Sequence, residues 1–155
     1  MSLRNTDTGG YPSFAWLGAL RTYLGVIAIG NLIWEFLHLP LYTIWTTGTI
    51  RERVFAVVHC TAGDLLIALS ALTLALMIAG RQEWPNASFF RVAALASIFG
   101  VGYTLFSEWL NIVVRVSWAY SDWMPVIALF GFQIGLSPLL QWIVVPAIAF
   151  KASRG

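Results

Sequence analysis

Charge is what this 155-residue chain has least of. Only 10% of its residues are Asp, Glu, Lys or Arg, against roughly 25% in soluble domains. So thin a supply excludes a disordered chain, a charge-laced coiled coil and a water-soluble domain of the usual kind. The nine cations are scattered and the net charge is +2. Nucleic acid is excluded as a partner, because no basic face is available to neutralise its phosphates. The single cysteine, Cys60, cannot form an internal disulfide and reads as a small core residue. No phosphate-cradling glycine loop and no G-x-S-x-G elbow occurs. Met1-Ser2 lacks the glycine of a myristoylation signal. The first fifteen residues hold no apolar run of signal-peptide type, so the first spanning helix is expected to direct membrane entry.

Apolar surface is what the chain has in excess. Hydrophobic residues make up 59% of it, against roughly 45–50% in soluble domains. Crossing the hydrocarbon core takes roughly 20 mainly apolar residues in a helix. Four stretches qualify, at about 22–45, 54–80, 92–114 and 124–150. The connections between them are short and carry the charges and helix breakers, so sequential helices should pack antiparallel. The expectation is a single all-α domain over 1–155: an integral-membrane bundle of four transmembrane helices, with flexible tails at 1–15 and 151–155. Arg4, Arg21, Arg81, Arg91, Lys151 and Arg154 fall on one side of it, and Arg51, Arg53 and Arg115 on the other. The positive-inside rule then puts both termini in the cytoplasm of a bacterial-type inner membrane. Trp45, Trp118 and Trp123 would line the outer interface, and Trp16 and Trp84 the inner one. Pro40, Pro138 and Pro146 predict kinks. Gly131 and Gly135 read as a GxxxG on the fourth helix, favouring close packing inside the bundle over a dimer seam. Asp122 is expected to cap that helix, and Arg115 to snorkel to the outer surface. Asn86-Ala87-Ser88 fits the glycosylation pattern by chance, on the cytoplasmic side.

Five ionisable side chains lie within the spans: Glu35, His38, His59, Asp64 and Glu108. A mid-span Asp costs roughly 2.5–3.5 kcal/mol even on the lowest insertion scales, so such groups must face each other, water, a cofactor or a substrate. All five fall in the outer, periplasmic half of the expected bilayer. Asn31, Glu35, His38 and Tyr42 share one helical stripe, and Thr104, Glu108, Asn111 and Arg115 repeat the spacing. His59 and Asp64 stand about 140° apart on their helix, so they would have to flank it between two neighbours. Glu35-Phe36-Leu37-His38-Leu39 resembles Glu108-Trp109-Leu110-Asn111-Ile112 with two identities, too few to carry a duplication.

Glu35-x-x-His38 has the spacing of a di-iron carboxylate motif, but its counterpart reads Glu108-x-x-Asn111, so a mononuclear site fits better. The leading reading is a transition metal (iron, zinc, copper or manganese) held by Glu35, His38, His59, Glu108 and Asp64 in a metal-dependent membrane enzyme. Glu35, Glu108 and Asp64 would carry its acid–base work, with Asn31, Tyr42, Thr104 and Asn111 orienting them. The same residues admit a haem between His38 and His59, or a metal-free acid–base enzyme acting on a lipid. They also admit an accessory protein whose polar groups only fix helix register. The bilayer is the expected partner. A small-molecule or lipid substrate and a homo-oligomer are both compatible with the sequence.

Overall fold

The computed structural model describes residues 15–80, 84–129 and 131–154, and they are mostly helical. Helix α1 (Ala15–His38) buries Ala19, Tyr23, Ile27, Asn31, Glu35 and His38, one stripe at intervals of three and four. It ends because Pro40 follows: Leu39–Leu41 tightens into a 3-10 turn, the chain becomes extended at Tyr42, and a single turn α2 (Ile44–Thr47) comes next. Helix α3 (Ile50–Ala79) starts on a capping box. The Thr49 hydroxyl accepts the Glu52 amide at 3.3 Å, and the Glu52 carboxylate accepts the Thr49 amide at 2.7 Å. Helix α4 (Phe89–Glu108) buries Val92, Ala96, Gly100, Thr104 and Glu108, every fourth residue, and continues as a wider π turn over Trp109–Val114. A hairpin of β1 (Val126–Leu129) and β2 (Phe132–Gly135) follows, pairing Val126 with Gly135 and Leu129 with Phe132. Helix α5 (Leu136–Ser153) closes the described chain.

Four helical segments are long and apolar enough to cross a membrane: Trp16–Leu41, Ile50–Ala79, Phe89–Val114 and Leu136–Ser153, with mean hydropathies of 1.5, 2.1, 1.6 and 1.3. The expected fourth stretch therefore starts late. Residues 126–129 and 132–135 form the hairpin, which has Ala128 opposite Gln133 and carries Gly131 at φ +85° in its turn. Gly131 and Gly135 belong to this hairpin and form no helical GxxxG. The Cβ of any other residue at Gly135 would meet Met124 and Tyr120. Asp122 caps no helix; Gly135 occupies the N-cap of α5. Pro138 falls in the first turn of α5, where a missing amide proton costs nothing, while Pro146 lies inside the helix. Helix α5 runs through Lys151 to Ser153, into the stretch expected as a tail. Trp84 is buried in the core rather than placed at an interface. The expected tail before residue 15, with Arg4, and Arg81 lie outside the described residues.

Helix α1 packs on α3 and α5, and α4 packs on the same two. One seam between the helices is apolar at one end and polar at the other. Tyr23 meets Phe150 with ring centroids 4.7 Å apart, and Ile27, Ala68, Leu72, Ala96, Trp142 and Val145 fill the apolar half. Gly30 lies against Val145, and Gly100 lies flat against the Trp142 indole, so the backbones of α1 and α4 approach α5 closely. The outward faces are apolar too, with Ile29, Phe36, Leu37, Leu66, Met77 and Ile98 all exposed. A water-soluble domain rarely exposes so continuous an apolar surface.

Candidate functional site

One layer of the seam above Gly30 gathers most of the buried polar side chains: Asn31, Glu35, His38, Asp64, Thr104, Glu108, Ser137 and Gln141. Gln141 stands at its centre, one turn after Ser137 on α5. Its Nε2 lies 2.9 Å from Asn31 Oδ1, 3.0 Å from Glu35 Oε1 and 2.9 Å from Asp64 Oδ2, joining α1, α3 and α5 through one nitrogen. An amide nitrogen carries two hydrogens, and here it meets three oxygens.

Glu35 turns its other oxygen to His38. The His38 Nε2 lies 3.1 Å from Glu35 Oε2, and Nδ1 lies 3.0 Å from Ser137 Oγ. Trp34 Nε1 donates to the same hydroxyl at 3.2 Å. Indole is a donor only, so the Ser137 proton is free for His38 Nδ1, which leaves Nε2–H to donate to Glu35. His38 thus stands in the middle of a line running Trp34, Ser137, His38, Glu35, Gln141, Asp64.

Glu108 forms a second arm. The Tyr120 hydroxyl donates to Glu108 Oε2 and accepts the Gly135 amide at 2.8 Å. Tyr120 comes from the loop after α4, which folds back over the corner that follows α1. Tyr42 and Tyr120 form an isolated antiparallel bridge, Ser121 N donates to Leu41 O at 2.9 Å, and Ser121 Oγ donates to Pro40 O at 3.1 Å. The Tyr42 ring lies between its neighbours, 5.4 Å from His38 and 5.6 Å from Tyr120. Burial first, then the Glu108 carboxylate, pushes the Tyr120 phenol above its ordinary value, so it stays a donor. Tyr42 is pushed the same way by burial, then by Glu108, Tyr120 and Glu35. Tyr120→Phe removes a donor to Glu108 and an acceptor from Gly135. It should cost about 2 kcal/mol at about 1 kcal/mol per bond, read as a lower melting temperature in micelles. An unchanged melting temperature would show that the loop is not fastened here.

The structure brings together Asn31, Glu35, His38 and Asp64, and sets Tyr42, Thr104 and Glu108 beside them. His59 is left out: it is exposed on α3 and stacks on Phe55 with centroids 5.3 Å apart. The helical offset from Asp64 turns it away once Asp64 faces inward. Asn111 and Arg115 leave the expected stripe because the π turn breaks the 3.6-residue period after Glu108. Asn111 donates to Ser107 O at 2.9 Å, and Arg115 is exposed. Thr104 donates to Gly100 O at 3.0 Å, within its own helix, and orients none of the acids.

Ser137, Gln141 and Trp34 were not expected in the site. The signal for the first two was present: a buried stripe runs Ser137, Gln141, Val145 at intervals of four. Among the described residues no group of three or more His, Cys, Asp or Glu side chains is arranged to hold a metal ion. Both imidazole nitrogens of His38 are already partnered, and with His59 facing outward the two histidines cannot clasp a haem. The expected metal and haem sites both drew on His59, which here lies outside the cluster. Comparison of the chain with protein-family models, curated proteins and solved structures finds no match. What fold and site define is a helical protein with four membrane-length helices and a carboxylate–imidazole–amide cluster buried among them.

Proposed function

We propose that the chain is an integral membrane protein of a bacterial inner membrane, an antiparallel four-helix bundle with both termini cytoplasmic. Its buried cluster is a metal-free acid–base site that exchanges a proton with a lipid-soluble substrate, and the site lies in the periplasmic half. The membrane placement rests on four outward-facing apolar helices and on the cations. Arg21, Arg91, Lys151 and Arg154 cluster at one end of the spans, and Arg51, Arg53 and Arg115 at the other.

The observation that carries the acid–base reading is the single Gln141 nitrogen shared by Asn31, Glu35 and Asp64. Two hydrogens cannot satisfy three acceptors, and two carboxylates in a low-dielectric seam cannot both keep a full charge. One proton held between Glu35 and Asp64 resolves both. A carboxyl pair with one proton contains an acid and a base at once, which general acid–base catalysis requires. His38, hydrogen-bonded to Glu35, extends the path a proton can take. Ile33, Phe36 and Leu37 on the outer face of α1 make the bilayer the natural source of a substrate.

Infrared difference spectroscopy of the protein in lipid tests this. The carbonyl stretch of a protonated carboxylic acid is expected at neutral pH. It should shift on transfer to heavy water and be lost in Glu35→Gln or Asp64→Asn while helical circular dichroism is kept. Absence of the band at neutral pH would sink the reading. A band that never exchanges would mark a sealed network that only fixes helix register.

A further inference from the structure

At the opposite end of the bundle from the acid–base cluster, the first turns of α4 and the last turns of α5 border an open groove. Its rim carries Lys151 and Arg154, and Arg91 borders an adjoining hollow that shares Phe89, Phe90 and Arg154 with it; all three cations are exposed. No carboxylate of the described residues lies within ion-pair distance of any of them. The Arg154 guanidinium sits 5.3 Å from the Phe89 ring centroid and 4.9 Å from that of Phe90, which holds the charge at the rim. Beneath the cations the groove is floored by small side chains, Ala93, Ala94, Ser97 and Ala147. The α4 end that faces the rim carries the positive pole of its helix dipole, and its N-cap, Ser88, makes no side-chain capping bond.

We propose that this groove is a binding site for one phospholipid with a net negative headgroup. The phosphate sits among Arg91, Lys151 and Arg154 at the start of α4, and an acyl chain runs along the alanine floor between α4 and α5. Three cations with no acidic partner among the described residues call for an anion, and their place at the ends of two membrane-length helices sets that anion at headgroup depth. The small side chains below leave a channel on the surface that faces lipid. An acidic protein segment would satisfy the cations but would leave the apolar channel unfilled. The inference rests on the membrane placement above and not on the acid–base site.

Native mass spectrometry of the full chain, released from vesicles of mixed phosphatidylglycerol and phosphatidylcholine, tests it. Phosphatidylglycerol should be retained selectively. Each single Gln substitution of Arg91, Lys151 or Arg154 should weaken retention about fivefold, and the triple about a hundredfold, at about 1 kcal/mol per cation. Ala147→Trp fills the channel without changing charge and should also displace the lipid. Ala94→Trp gives the same test from α4, should the first variant fold poorly. Equal retention of the two lipids would overturn the proposal. So would loss in the charge variants with full retention in both tryptophan variants, because the effect would then be diffuse surface attraction. A chain that never enters the vesicles would remove the membrane placement itself, and this site with it.

Discussion

Replacing Gln141 with leucine is expected to lower stability by about 1–2 kcal/mol, from the two hydrogen bonds its amide can donate at about 0.6–1 kcal/mol each. The lower figure reflects a chain unfolded within lipid, where polar groups also find partners. The change keeps volume and removes the one group that ties α1, α3 and α5 together through Asn31, Glu35 and Asp64. Unfolding in mixed micelles measures it, and a leucine variant as stable as the parent would deny Gln141 its central role. Gln141→Glu adds the converse test. It replaces two donor hydrogens with a third carboxyl, so the folded cluster must take up protons that the unfolded chain does not hold. A fold that binds more protons than its unfolded state gains stability as pH falls. The glutamate variant should therefore be destabilised at neutral pH and recover on acidification more steeply than the leucine variant, which keeps only the Glu35 and Asp64 carboxyls.

The spacing of Asn31, Glu35 and His38 foretold their shared stripe because α1 keeps a regular 3.6-residue period as far as His38. The stripe of Thr104 and Glu108 held for the same reason, and it failed at Asn111 because a π turn intervenes. Such a turn has no strong sequence signature, and WLNIVV reads like any apolar helix. His59 shows a different limit. Its cost in a membrane made it a candidate, yet an aromatic neighbour one turn away, Phe55, gives the imidazole a stacking partner on the exposed face. Gln141 was hidden by its chemistry: acids and histidines draw attention to cost, whereas a neutral amide inserts cheaply and still satisfies them. The fourth span was misjudged at its start because MPVIALFGFQIG is apolar enough for a helix. Its β-branched and aromatic residues and the glycine at φ +85° instead favour a hairpin.

The largest effect on the scaffold should come from Gly100→Leu, at about 3 kcal/mol or more, the upper range for overpacking. Gly100 lies where α4 meets the Trp142 indole, and a Cβ there would occupy the space of the ring. Trp142 is itself buried beside Ala68 and Ala96, so the indole has nowhere to turn. The two helices must separate, and Glu108, two turns further along α4, moves away from His38 and Tyr42 with them. Gly102→Leu is the control on the same helix: nothing lies within 4 Å of its Cβ position, and the change should stay within about 0.5 kcal/mol. At Gly30 the obstacle is a Val145 methyl 2.8 Å away. A methyl can swing aside where an indole cannot, so Gly30→Ala should fall between the two. Melting temperatures of the three variants in one micelle system decide the order. If Gly100→Leu and Gly102→Leu proved equal, the close approach of α4 to α5 would be refuted, and with it the geometry that sets Glu108 beside the cluster.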